Sequence, residues 1–182
     1  MTKRWLNGPT VLTLIRIVLV VPLMISIFMD STAARVVAIL CFAVASLTDF
    51  IDGKWARMSG QVTEFGRFAD PLADKMLVNL TFLALVVLGE VPVWAFGIIL
   101  VRDFMVDGVR MMAAGKKVTI AASKLGKLKT LVQMVTLILI MVNMIAQNAT
   151  FAAFNNCLII VVVGLTVISG ANYLAKGWKL LK

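Results

Sequence analysis

Apolar residues fall in long runs separated by short polar intervals. A helix that crosses hydrocarbon needs about 20 apolar residues, because each rises about 1.5 Å and the layer is about 30 Å thick. Six runs approach that length: about Val11 to Met29, Arg35 to Arg57, Asp70 to Leu88, Val91 to Met112, Thr130 to Ala146 and Phe151 to Tyr173. The pattern predicts an all-α, polytopic integral membrane protein with six transmembrane helices, folded as one domain over residues 1–182. The first run, broken only by Arg16 and Pro22, is too long and wrongly charged for a cleaved signal peptide. Residues 1–9, with Trp5 and Leu6 beside Lys3 and Arg4, suit a short segment on the membrane interface. Between the fourth and fifth runs lies the longest loop, Ala113 to Lys129, whose middle, Thr119–Leu125, suits a short interfacial turn or helix.

Composition strengthens this picture. The 182 residues are 61% hydrophobic and 15% charged, against a usual ~45–50% and ~25%. Mean hydropathy is +0.98. A soluble domain of this size could not bury so much apolar surface and keep a wetted exterior, and a disordered chain would be far more polar. The net charge of +9 would point a soluble chain towards nucleic acid. In a membrane protein it has a simpler source, since cations gather in cytoplasmic loops, and no nucleic-acid partner is expected. Lys3, Arg4, Arg57, Arg67, Lys116, Lys117, Lys124, Lys127, Lys129, Lys176, Lys179 and Lys182 collect on one face, and Arg35 alone on the other with Asp30 and Glu90. The crowded face is therefore cytoplasmic and holds both termini. Lys116, Lys117 and the tail lysines suit anionic membrane lipids. Trp5, Trp94, Tyr173 and Trp178 sit near run ends, as interface anchors do. The absence of histidine removes His-based triads and histidine–zinc sites. Cys41 and Cys157 show no metal-ligand spacing.

Candidate chemistry lies where the second run ends and the third begins. Asp49 and Asp52 are spaced i,i+3, and Asp70 and Asp74 i,i+4, so each pair shares one helix face. A short connection makes the two helices antiparallel neighbours, and four carboxylates then converge. Like charges at a low-dielectric boundary repel. Lys54, Arg57, Arg67 and Lys75 offset part of that charge. The plainer explanation is helix-end charge, with Asp70 as an N-cap and Pro71 at the first helical position. It leaves Asp49 and Asp52 unexplained, because a helix C-terminus disfavours anions. Oxygen ligands without His or Cys suit Mg²⁺ or Mn²⁺. Four carboxylates have room for two ions, or for fewer with one carboxylate spared to accept a proton. Gly53, Ala56 and Gly66 serve either close helix packing or close backbone approach of a ligand.

The same segment resembles the signature of the CDP-alcohol phosphotransferase family. That signature runs Asp, two residues, Asp-Gly, two residues, Ala-Arg, eight residues, Gly, three residues, Asp, three residues, Asp. Here it reads Asp49, Asp52-Gly53, Ala56-Arg57, Gly66, Asp70 and Asp74, with every gap matched. Lys54 stands where an aromatic or apolar residue is common. Other segments resemble the branch that makes phosphatidylglycerophosphate: Asn7-Gly8-Pro9-Thr10 with Leu12-Thr13 and Arg16, Arg102-Asp103 in place of an Arg-Glu pair, Gly108-Val109-Arg110, and Ser123, Gly126-Lys127, Lys129-Thr130 with Gln133. The resemblance implies transfer of a phosphatidyl group from CDP-diacylglycerol to sn-glycerol 3-phosphate, releasing CMP. It implies Asp49, Asp52, Asp70 and Asp74 as metal ligands, with Asp74 also the base. Gly53, Arg57, Thr63 and Gly66 are then expected to bound the CDP-diacylglycerol site. It also implies a homodimer in a bacterial inner (cytoplasmic) membrane, its active site facing the cytoplasm.

The acceptor's own phosphate calls for cationic donors, preferably an arginine fork. Arg110, with Lys127 and Lys129, is the main candidate group, and Arg102 lies deeper in the same run. Positive-inside charge is the competing account of Arg110, Lys127 and Lys129. Pairing with Asp103 is the competing account of Arg102, and Asp103 and Asp107 also suit Arg110 or Lys75. Other members of the family, taking serine, inositol phosphate or phosphatidylglycerol, share the aspartate signature. A small channel or transporter would instead need carboxylates along a pore, and a non-catalytic scaffold would not need them at all.

Overall fold

A computed structural model describes residues 8–59, 64–116 and 123–181, of which 8–10, 49–59, 64–71, 74, 114, 124, 176 and 178–181 are described by backbone alone. Among the described residues there are six α-helices and no strand. They are α1 (Gly8–Ile27), α2 (Thr32–Ser59), α3 (Glu64–Val87), α4 (Val93–Gly115), α5 (Lys124–Ala146) and α6 (Ala149–Leu181). Leu125–Ala146 and Ala149–Ala175 are long and apolar enough to cross a membrane, whereas Val11–Ile27, Thr32–Thr48 and Lys75–Val87 are shorter apolar stretches.

The chain forms two compact units. The first contains α1 to α3 together with Met144–Ala146, and the second contains α4, most of α5, and α6. Every helix buries a stripe spaced by three and four residues, the period of helices packed side by side. In α1 the stripe is Thr13, Arg16, Val20, Leu23 and Ile27, and in α2 it is Ala38, Phe42 and Ala45. In α3 it is Ala73, Leu77, Thr81 and Ala84. Alanines at these positions let backbones approach closely, as membrane helices require. The opposite faces stay apolar, with Val18, Val21, Ile25, Leu40, Val44 and Leu47 exposed. A helix that is apolar on its outer face as well suits lipid more than water. Helix α1 packs on both α2 and α3, and α2 touches α3.

The second unit buries a different stripe. Helix α4 contributes Ala95, Ile99, Val106, Val109 and Ala113, with Arg102 in step between them. Helix α5 contributes Lys129, Gln133, Thr136, Ile140 and Asn143. Helix α6 contributes Asn155, Ile159, Val162, Thr166, Ser169 and Tyr173. Thr136 and Thr166 satisfy their hydroxyls on the carbonyls of Val132 and Val162, one turn back.

Helix ends depart from the apolar runs for identifiable reasons. Ser123 caps α5 by accepting the Gly126 N–H at 3.0 Å. The fifth helix therefore begins six residues before Thr130, and Lys127 and Lys129 lie on helix, not in a loop. Most of the interfacial turn expected at 119–125 lies outside the described residues. Gln147 closes α5 in the left-handed conformation (φ 49°), its N–H donating to Asn143 O. Asn143 Oδ1 accepts the next N–H, that of Asn148. Helix α3 begins at Glu64, so Pro71 lies inside it and not at its first position. That removes the reading of Asp70 as an N-cap.

Candidate functional site

In α2 the buried register of Ala38, Phe42 and Ala45 continues, four and three residues further on, to Asp49 and Asp52. In α3 the register of Thr81 and Leu77 continues backwards through Asp74 and Asp70. The same faces that bury carbon in one part of each helix thus carry acid in the next. Ser59 and Glu64 bound a link of only residues 60–63, and α2 and α3 are in contact. The expected convergence of the side chains of Asp49, Asp52, Asp70 and Asp74 lies outside the described residues, as do Thr63 and the surroundings of Gly53, Arg57 and Gly66. Among the described side chains no cluster of three or more acidic or thiol groups occurs.

A buried cation stands next to this register. Arg16 is fully buried in α1, and its Nε donates to the carbonyl of Ala45 at 3.3 Å. Thr48 Oγ1 donates to the same carbonyl at 2.8 Å. Ala45 precedes Asp49 by one helical turn, so Arg16 fixes α1 against α2 at the point where the stripe changes from apolar to acidic.

The second unit carries a charge network. Asp103 Oδ1 accepts from Lys129 Nζ at 2.7 Å and from Arg102 Nη1 at 3.0 Å. Arg102 Nη2 donates to Ser169 Oγ at 3.2 Å, and Ser169 donates to Thr166 O. Lys129 is 3% exposed, so its ammonium depends on that carboxylate. Three helices meet at one charge cluster. Two buried donors, Arg102 Nε and Gln133 Nε2, have no hydrogen-bond partner among the described residues. Such donors are expensive to leave dry and suit a polar ligand.

Glycine makes the approach of α4 and α6 close enough for this. A Cβ at Gly170 would lie 2.8 Å from Arg102 Cγ, and one at Gly177 would lie 2.5 Å from Val109 Cγ1. The pairings 102 with 169–170 and 109 with 177 advance in the same direction, so α4 and α6 run parallel. Further along, Arg110 Nε donates to Tyr173 Oη at 3.0 Å, with its guanidinium carbon 5.4 Å from the ring centroid.

The profile of the CDP-alcohol phosphatidyltransferase family matches residues 6–168. The chain belongs to this family. It is 37% identical to a Bacillus subtilis protein named CDP-diacylglycerol–glycerol-3-phosphate 3-phosphatidyltransferase, over 82% of this chain and 77% of that protein. A Rickettsia bellii protein of the same name is 34% identical over 92% of this chain and 93% of its own length. A Mycobacterium tuberculosis protein named probable phosphatidylglycerophosphate synthase is 38% identical over 93% of this chain and 81% of its own length.

Within this CDP-alcohol phosphatidyltransferase, the structure sorts the cations expected at the acceptor site. Arg102 and Lys129 come together on Asp103, while Lys127 and Arg110 are exposed. Asp103 turns to Arg102 and Lys129. Tyr173, expected as an interface anchor, is instead 2% exposed and packed with Val106 and Val109. Trp94 is 55% exposed, as an anchor should be. Sequence reading missed Ser169 and the role of the Tyr173 hydroxyl. The three-four spacing of Thr166, Ser169 and Tyr173 inside an apolar run was the available signal.

Proposed function

We propose that this protein transfers the phosphatidyl group of CDP-diacylglycerol to sn-glycerol 3-phosphate, giving phosphatidylglycerophosphate and CMP. The observation that carries the reading is the aspartate register on α2 and α3, complete at every gap, in a chain whose relatives bear that activity in their names. We further propose one phosphotransferase domain with six membrane spans, both termini and the site on the cytoplasmic side of a bacterial inner membrane, working as a homodimer among membrane lipids.

Asp49, Asp52, Asp70 and Asp74 form an all-oxygen donor set, which fits Mg²⁺ or Mn²⁺, with room for two ions. Such ions, when bound, offset negative charge on the donor diphosphate. Gly53, Arg57, Thr63 and Gly66 bound the donor. Asp74 accepts the proton of the glycerol hydroxyl as its oxygen bonds to the lipid-side phosphorus and the bond from that phosphorus to the CMP oxygen breaks. Arg110, Lys127, Lys129 and Arg102 serve the acceptor phosphate. Support comes from the second unit's surplus of cations, from the buried donor Arg102 Nε, and from the α5 N-terminus. Its free N–H groups add positive potential beside Lys127. Arg102 reaches this first turn, since a Cβ on Gly126 would lie 3.8 Å from its Nη2. Asp103 leaves the trio of Arg102, Asp103 and Lys129 one net positive charge.

The test uses purified protein with CDP-diacylglycerol and a panel of acceptors, with and without Mg²⁺ or Mn²⁺. CMP release that requires both glycerol 3-phosphate and a divalent ion is expected. Release with serine or inositol phosphate alone would overturn the assignment, and full activity after chelation would remove the metal.

A further inference from the structure

An exposed arginine that must grip a phosphate loses rotamer freedom when it does so, and any contact that already holds it reduces that loss. Arg110 is such a residue. It lies on the exposed side of α4, yet its Nε is tied to Tyr173 Oη at 3.0 Å and its guanidinium carbon stands 5.4 Å from the same ring. Tyr173 is itself held, 2% exposed in a cluster with Val106 and Val109, and α6 lies close against α4 on both sides of it, at Gly170 and Gly177. The tether uses Nε and leaves the edge carrying Nη1 and Nη2. That edge still offers two parallel N–H groups to two oxygens of a phosphate. Tyr173 is also the chain's one tyrosine, and a buried phenol at this place needs a polar partner, which Arg110 supplies.

We propose that Tyr173 is a positioning residue for the acceptor, holding the Arg110 guanidinium so that its free edge receives the phosphate of sn-glycerol 3-phosphate. The proposal rests on the reading of Arg110 as an acceptor-phosphate ligand. Tyr173 acts only through Arg110 and takes no part in proton or phosphoryl transfer. Removing its hydroxyl should therefore weaken acceptor capture and leave the donor side alone.

The experiment is a double-mutant cycle on the full-length protein in detergent–lipid micelles, with Tyr173→Phe, Arg110→Ala and the two combined, measuring KM for glycerol 3-phosphate, KM for CDP-diacylglycerol and kcat. Tyr173→Phe keeps the ring and its packing. It should raise the glycerol 3-phosphate KM roughly tenfold, the low end of the effect of one hydrogen bond to a charged group. Donor KM should not move, and kcat should change by less than about twofold, a split that a general loss of folded enzyme would not produce. In the Arg110→Ala background, Tyr173→Phe should add nothing. An unchanged acceptor KM in Tyr173→Phe, or the same rise with and without Arg110, overturns the positioning role while leaving Arg110 in place. An acceptor KM indifferent to Arg110→Ala overturns the underlying reading and the proposal with it.

Discussion

The two units treat buried charge in opposite ways. In α1 to α3 the buried residues are almost wholly carbon, with Thr13, Arg16, Ser26 and Thr81 as exceptions, and the register passes from Ala45 to Asp49 and from Leu77 to Asp74. In α5 and α6 polar groups run through the packed stripes themselves, at Lys129, Gln133, Thr136, Asn143, Asn155, Thr166 and Ser169. There the protein supplies its own counter-charge, since Asp103 answers both Arg102 and Lys129. The motif aspartates of the first unit follow one another on the helix register, and the second unit balances its buried charges in place. The difference teaches how a buried cation is answered: Asp103 supplies a full counter-charge to Arg102 and Lys129, whereas Arg16 is met by the neutral carbonyl of Ala45.

The largest test of this contrast falls on the first unit. Asp74→Asn should lower CMP release by about 10²–10⁴-fold, the usual contribution of a positioned base, while CDP-diacylglycerol binding measured by equilibrium titration persists. Undiminished turnover would strip Asp74 of its role. The next falls on the second unit. Asp103→Asn leaves the Lys129 ammonium buried beside Arg102 without its carboxylate, and should destabilise the fold by on the order of 3 kcal/mol. Unfolding of the solubilised protein would record this as a lowered midpoint, and an unchanged midpoint would mean that the network carries little of the structure. The smallest is a control on an exposed pair. Arg35 Nη2 meets Asp30 at 2.8 Å, but Asp30 is 96% exposed, and Arg35 also donates to Met144 O at 2.6 Å. Asp30→Asn should shift the same midpoint by no more than a few tenths of a kcal/mol. A loss as large as that of Asp103→Asn would erase the distinction between buried and exposed charge.

The number of helices and their apolar centres were legible because each long apolar run is the length of a helix that buries one side against its neighbours. The ends were not. Hydropathy goes silent where a helix continues into polar residues, so α3 starts at Glu64 and not Asp70, α5 at Lys124 and not Thr130, and α6 runs to Leu181 and not Tyr173. The aspartates were legible from spacing alone, because i,i+3 and i,i+4 fix a face without tertiary information. Lys129 was not. Its neighbours in sequence read as ordinary positive-inside charge, and only the ion pair that reaches from α5 to Asp103 of α4 tells a buried lysine from an exposed one such as Lys127. Tyr173 was misjudged for a related reason: a tyrosine at the end of an apolar run looks the same whether it faces headgroups or a neighbouring helix.

Gly170 shows how far such coupling extends. A single methyl group there would collide with the Arg102 stem, and the far end of that stem holds Asp103, on which Lys129 of a third helix depends. The smallest residue in α6 is thereby linked to the electrostatics of α5, and redesign at position 170 cannot be local. A side chain at position 170 would require the Arg102 stem to shift, and the ion pairs at its far end with it.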